Sequence, residues 1–399
     1  MTSPNPRPAS SWYRPMTARR SDEQHRVSTN LELFFDLCFV AAVAQAAIAL
    51  EHEISAGHTS HGVLGYVLVF FAIWWAWMNF TWFASAYDTD DVPYRLLTLL
   101  QITGALVMAA GAQAAVADYD FTVITIGYVI MRLAMVTQWL RAARTDPERR
   151  PTCLRYATGI LIVQAGWVAR LFLPENAGLP AFLVLAVAEL AVPLWAERAG
   201  RTTWHPHHIA ERYGLFTIIV LGESITSATA AVHGALDSGA SFATLAALSA
   251  GGVLTVFALW WLYFTDNAPH RLHSLAAAMR WGYGHYALFA AAAAVGAGLA
   301  LNTAAATGHT EATHIATATA YTLPVAVYLL VLRLLQRGAT PSGLRDALWA
   351  AGALAVALAS FTTGALPVLL TGLITTVLVT VTTSLPERPA TADPAPTPA

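Results

Sequence analysis

The residues of this 399-residue chain whose types and spacing could do chemistry are ionisable side chains set in apolar runs. A charge held in hydrocarbon costs upwards of ~2.5 kcal/mol, and such groups mark ion, proton or substrate pathways. Arg132, Glu189 and Glu223 fall near the middle of their runs, whereas Glu32 and Asp36 stand at the start of the first. Glu32 and Asp36 are four apart and share a helix face, and Glu223, Thr226 and Ser227 line one side of theirs. Two readings follow. Arg132 pairs with one of these acids and the pair fixes helix packing, because a buried guanidinium must find an anion. Alternatively an unpaired acid, Asp36 or Glu223, exchanges a proton or contacts an ion as cargo crosses.

A second constellation is Asp88-Thr-Asp-Asp91, behind a helix carrying Trp74, Trp75, Trp77, Phe80, Trp82 and Phe83. Besides a solvated loop cap, the three acids Asp88, Asp90 and Asp91 could hold a divalent cation. The motif also resembles the acid motif of class II terpene cyclases, where a protonated carboxyl starts a carbocation cascade that aromatic faces stabilise. Otherwise no cofactor is expected. Histidines cluster as His52, His58 and His61 and as His205, His207 and His208, with no third or fourth metal ligand fixed by spacing, and read as loop histidines. His285, with Tyr283 and Tyr286 nearby, is a candidate cavity wall. No P-loop, nucleophile elbow, zinc-ligand helix or dinucleotide fingerprint is visible, so ATP hydrolysis is not expected.

The elements that position these groups are membrane helices. With 56% hydrophobic and 12% charged residues, the chain cannot cover a water-facing surface. Net charge is −2 and no basic stripe suggests nucleic acid. Apolar runs predict twelve spans: 33–50, 63–83, 96–117, 121–140, 154–173 and 179–195, then 213–232, 242–264, 281–301, 317–335, 345–361 and 366–382. Gly364 and Pro367 mark either a tight turn between the last two or a break within one element. All positive charge is arginine, and 20 of the 22 arginines fall on alternate connections, Arg212 among them, or in the tails. The positive-inside rule then places both termini in the cytoplasm of a bacterial inner-membrane protein. Phe71-Ala-Ile-Trp-Trp-Ala-Trp77 recurs as Phe257-Ala-Leu-Trp-Trp-Leu-Tyr263, and Asp36 corresponds to Glu223 at nearly the same offset. The chain therefore reads as an all-α integral membrane protein of two parallel six-helix repeats, 31–195 and 211–385, joined by a linker 196–210. A cytoplasmic tail 1–30 precedes them and a disordered tail 386–399 follows. An aromatic cavity formed by Trp74, Trp75, Trp77, Trp260 and Trp261 is expected. Cys38 and Cys153 are expected not to form a disulfide, and no cleavable signal peptide is evident.

Glu32-Leu-Phe-Phe-Asp-Leu-Cys-Phe-Val40, Asp88-Thr-Asp-Asp-Val-Pro-Tyr-Arg95 and His208-Ile-Ala-Glu-Arg-Tyr-Gly-Leu-Phe-Thr-Ile-Ile-Val-Leu-Gly-Glu-Ser224, in that order, resemble the bacterial low temperature requirement protein A family. The resemblance implies a multipass inner-membrane protein and assigns no reaction. Phe34 to Asp36 also resembles the Phe-Ser-Asp element of a lysosomal and bacterial potassium channel family, with phenylalanine in place of serine.

The leading expectation is a transporter or channel moving a small solute or ion between the halves. In it Asp36 and Glu223 are paired coupling acids on a shared cavity, Glu32 and Glu211 lie at the cytoplasmic mouths, and Arg132 is the counter-charge. Glu189 and His285 complete the intramembrane set. The alternative is an intramembrane enzyme acting on a lipid or isoprenoid through Asp88, Asp90 and Asp91, with an apolar cavity lined by the tryptophans. A third is a non-catalytic scaffold whose acids are all neutralised. The partners are the bilayer and that solute, ion or lipid-like substrate.

Overall fold

The computed structural model describes residues 12–20, 23, 26–237, 239, 241–266, 268–272, 274–337 and 343–385. Twelve α-helices follow one another: α1 (Asn30–Ser55), α2 (Thr59–Tyr87), α3 (Val92–Ala117), α4 (Thr122–Thr145), α5 (Arg150–Arg170), α6 (Glu175–Ala196), α7 (Pro206–Asp237), α8 (Phe242–Phe264), α9 (Leu275–Ala306), α10 (His314–Leu335), α11 (Gly343–Leu358) and α12 (Leu366–Ser384). Eleven of them, all but α5, are long and apolar enough to cross a bilayer. α5 carries Arg150, Arg155 and Arg170, which lower its hydropathy.

Long-range bonds show that the helices alternate in direction. At one end, Arg141 Nη2 of α4 reaches Asp91 at the start of α3, Tyr156 of α5 donates to Glu197 after α6, and Gln336 after α10 donates to the Leu262 carbonyl of α8. At the other end His61 of α2 donates to the Ala117 carbonyl of α3, and the Glu311 amide donates to Ser55 at the end of α1. The first end holds the arginine-rich connections.

In the first half α1 packs on α3, α3 on α4, α4 on α5 and α5 on α6, and in the second half α7 on α9, α9 on α10, α10 on α11 and α11 on α12. The second helices differ. α8 lies against α12, whereas α2 is drawn into the middle of the molecule, touching α1, α3, α4, α7 and α9. Trp74, Trp75 and Trp77 are accordingly buried, while their counterparts Trp260 and Trp261 are 45% and 52% exposed on the outer surface. The expected aromatic cavity therefore excludes Trp260 and Trp261. A repeated sequence buries its rings only where a neighbouring helix covers them.

Two boundaries depart from the apolar runs. α7 begins at Pro206, a residue whose fixed φ suits a first helical turn, so most of the expected linker's end is helical and both Glu211 and Arg212 lie inside the helix. Between α11 and α12 a short 3₁₀ turn, Ala359–Phe361, and Gly364 at φ +62° make a tight turn. The Arg345 side chain then reaches the Leu385 carbonyl, so these are two antiparallel helices. The expected tail 386–399 lies outside the described residues.

Close backbone approach supports the pairing of α3 with α4. A Cβ on Gly127 would stand 2.5 Å from the Gly104 carbonyl oxygen, and one on Gly104 would stand 2.6 Å from that of Gly127. Small residues of this kind let membrane helices pack where water supplies no driving force. Gly127→Ala should destabilise the purified protein by about 1–3 kcal/mol in detergent thermal unfolding. Gly222→Ala, where a Cβ meets nothing within 4 Å, should be neutral or stabilising by up to ~1 kcal/mol. Equal melting of the two variants would refute this account of the packing.

Candidate functional site

The acids of α1 are placed by a helix start. Thr29 caps α1 in a reciprocal capping box with Glu32, and one turn further Asp36 points the same way. Both are fully buried. Across from them α7 presents His208 and Arg212, also four apart. Arg212 donates to both Asp36 oxygens, Nε at 3.0 Å and Nη2 at 2.5 Å, and its Nη1 lies 3.0 Å from Glu32. His208 Nε2 lies 3.0 Å from the same Glu32 oxygen, and Trp77 Nε1 of α2 donates to Asp36 at 2.7 Å. The guanidinium holds Asp36 through two nitrogens while its third faces Glu32, a planar geometry that the single nitrogen of a lysine does not reproduce.

A second carboxylate is held in the same manner. Glu189 of α6, fully buried, accepts from Arg132 and Tyr128 of α4, Trp75 of α2 and Trp167 of α5. Trp75 and Trp77 are two residues apart, roughly 200° around a helix. α2 thus divides the clusters and gives one indole N–H to each. Arg132, expected as counter-charge to Asp36 or Glu223, is committed to Glu189.

The expected convergence of Asp36 and Glu223 is not found. Arg212, which holds Asp36, precedes Glu223 by eleven residues, about 16 Å along α7. Glu223 is half-buried and accepts from Ser227 Oγ at 3.1 Å; among the described residues it has no ion pair. Sequence reasoning missed Arg212 because the apolar run was started one residue later, at Tyr213. The available signal was spacing: Glu32 and Asp36 on α1 match His208 and Arg212 on α7.

The three acids of the loop after α2 diverge. Asp88 is contacted by Arg26 at 3.4 Å and Arg19 at 3.5 Å. Asp90, at φ +49°, pairs with Arg95 in the open. Asp91 is buried, caps α3 and accepts from Arg141 Nη2 at 2.7 Å and the Arg14 amide at 2.9 Å. Among the described residues no group of three or more His, Cys, Asp and Glu is placed to hold a metal ion. A cleft lined by Trp75, Trp82, Trp139 and Trp204, with none of the three acids in its wall, has a volume of about 30 Å³, room for one water molecule. The segment before α1 straps this end: Arg26 also donates to the Ala84 carbonyl, Arg19 N to Ala86, and His205 Nε2 to the Glu23 carbonyl. Burial, with help from Glu32, pushes the Asp88 carboxyl up to about 6 against the pull of Arg26 and Arg19.

Larger spaces than this cleft lie at both ends of the second half, and an open groove of about 650 Å³ lies along Gly57 to Val67 in the first. At the arginine-rich end Glu211, Tyr263, Trp281, His285 and Gln336 line a cavity of about 280 Å³, so His285 and Glu211 share a wall. At the opposite end Leu248, Asn302, Thr310, His314 and Thr317 line one of about 350 Å³.

The description "Bacterial low temperature requirement A protein (LtrA)" matches residues 27–383, nearly the whole helical body. The chain belongs to the LtrA family. An uncharacterized protein of Rhizobium meliloti (strain 1021) is 29% identical over 245 residues, 59% of this chain and 58% of that protein. The chain thus matches less than two thirds of that relative's length. No solved structure matches. The three segments that carry the LtrA likeness meet in space: Glu32 and Asp36 from the first and His208 and Arg212 from the third form one cluster, and Asp88 of the second joins it through Arg26.

Two outcomes follow. Arg212→Leu strands two buried carboxylates and should cost about 3–5 kcal/mol, read as loss of folded protein from the membrane, while the double change of Arg132 and Glu189 to methionine should be milder than either alone. Equal yields of all variants would remove the neutralisation argument. Second, the Asp88 carboxyl rises from 3.8 to about 6 on folding, so the fold keeps a proton that the unfolded chain releases, and Asp88 lowers stability as pH rises through that window. Asp88→Asn should therefore raise the melting temperature at pH 7.5 and barely at pH 4, by the equivalent of at most roughly 3 kcal/mol; the reverse order would contradict it.

Proposed function

We propose that this LtrA-family protein is a transporter or channel for a small polar solute or ion, with its path between α8, α9 and α10. The observation that carries this reading is the pair of cavities at opposite ends of those three helices. α9 runs from Trp281 and His285 at one cavity to Asn302 at the other; α10 runs back from Thr317 to Leu332, and α8 from Leu248 to Tyr263. Between them lies a buried plug containing Thr255, Tyr321, Thr322 and Tyr328. Tyr328 donates to the Leu259 carbonyl, whereas Thr322 Oγ1 has no hydrogen-bond partner among the described residues. A buried hydroxyl left without a partner is costly in a merely structural seal, and it suits a passage that transiently hydrates.

The arginine-rich end faces the cytoplasm of a bacterial inner membrane in this reading, with both termini there. The matched packing of each half, first helix on third and so on to the sixth, supports two parallel six-helix repeats. The repeats have then specialised, the first sealed by its ion pairs and the second carrying the path. The cyclase alternative is disfavoured by the 30 Å³ cleft and by the arginine attached to each acid of the 88–91 loop.

Two measurements test the path in full-length protein. A cysteine at Ala305 should react with a membrane-impermeant thiol reagent from the outside only, and one at Leu335 from the inside only. In osmotic-swelling assays on proteoliposomes at least one small polar solute should enter faster than in protein-free vesicles, and Tyr321→Ala should speed it on the order of ten-fold, about 1.4 kcal/mol of barrier. Labelling of both positions from one side, or entry rates indifferent to Tyr321, would discard the path.

A further inference from the structure

We propose that the cavity at the arginine-rich end is a binding site for a small organic ammonium ion, recognised by Glu211 against an aromatic wall. The inference deepens the transport reading by naming a ligand class, but it needs only the cavity.

Hydrogen-bond bookkeeping shows what the wall offers. His285 Nδ1 lies 2.8 Å from the Trp281 carbonyl, which can only accept, so Nδ1 carries the proton. Nε2 is then an acceptor for the Tyr263 hydroxyl at 3.0 Å, and the imidazole is neutral in this arrangement. Tyr263 spends its only proton there. The Gln336 amide nitrogen donates one proton to the Leu262 carbonyl, which leaves its oxygen and its second amide proton. Asp266 is already paired with Arg271 at 2.6 Å and adds no net charge. The cavity therefore offers both acceptors and donors, and its net charge decides which ion it suits.

Net charge comes from Glu211. It is half-buried, accepts from the Ser28 amide at 3.3 Å, and has no ion pair among the described residues. Its neighbour Arg212 is spent on Asp36 and Glu32. The starts of α7 and α9 and the ends of α8 and α10 border the cavity, two helix N-termini against two C-termini, so their end charges offset one another. His207, on the exposed rim, opposes a cation only when protonated. Trp281, its ring 4.1 Å from His285, and Tyr263 line the same cavity as Glu211. A carboxylate and aromatic rings in one cavity suit an alkylated ammonium, which is cheaper to dehydrate than sodium and gains from the ring faces. A volume of about 280 Å³ limits the ligand to a small one.

The test is calorimetric titration of the full-length protein in detergent at pH 8. Choline is compared with its uncharged carbon isostere 3,3-dimethylbutan-1-ol at constant ionic strength. Choline should bind at least ten-fold more tightly than the isostere; Glu211→Gln should erase the preference, Glu211→Asp should retain it, and Trp281→Phe should weaken binding a few-fold. Equal binding of the isostere, or of choline to Glu211→Gln, overturns the proposal, and the isostere comparison on the unaltered protein decides even if a variant fails to fold. Choline uptake by proteoliposomes separates the two readings. Binding without uptake upholds this site and removes transport through it, whereas uptake with binding indifferent to Glu211 removes the site and leaves transport standing.

Discussion

The arrangement of this molecule depends on the cost of holding charge in hydrocarbon. Glu32, Asp36 and Glu189 are fully buried in a chain that is 12% charged, and each is answered by an arginine side chain and further donors. Because α1 meets α7 through such a contact, the halves are joined by directional bonds as well as by apolar packing, which in lipid has little preference between one helix face and another. α2 stands between the two charged centres and gives an indole N–H to each, Trp77 to Asp36 and Trp75 to Glu189. Its central place follows from that double attachment.

The first six helices and the last six have unlike interiors. In the first half the buried acids Glu32, Asp36 and Glu189 are neutralised, and the cleft beside its tryptophans has room for a single water. In the second half α8 leans outward onto α12, which opens space between α8, α9 and α10 at both ends. One half braces and the other accommodates. The same aromatic sequence illustrates the divergence: around Trp74 the rings are covered, around Trp260 they face outward.

Much of this was legible beforehand, for specific reasons. Twelve apolar runs separated by arginine clusters correspond to twelve helices, since the length needed to cross a bilayer and the charge needed to end a span both leave marks in composition. Arg132 was recognisable as a residue in need of an anion. Its partner was not, because four acids were available and only the packing of α4 against α5 and α6 selected Glu189. The start of α7 was misplaced since hydropathy discounts His208, Glu211 and Arg212, polar residues that a helix can carry inside a membrane when another helix meets them. The kinship of Asp36 with Glu223 was read from an offset along the chain. Depth is set by where each helix begins, and α7 begins well before its apolar stretch.

Sequence alone determined the family, the number of helices, their alternation and which charges had to be satisfied, because each of these is imposed locally by lipid on a stretch of chain. Only tertiary structure decided which acid meets which arginine, which tryptophans are covered, that the three aspartates after α2 part company, and where open space remains. Those outcomes depend on how helices distant in sequence lie against one another, and apolar periodicity carries no information about the choice of neighbour when lipid and protein are equally apolar.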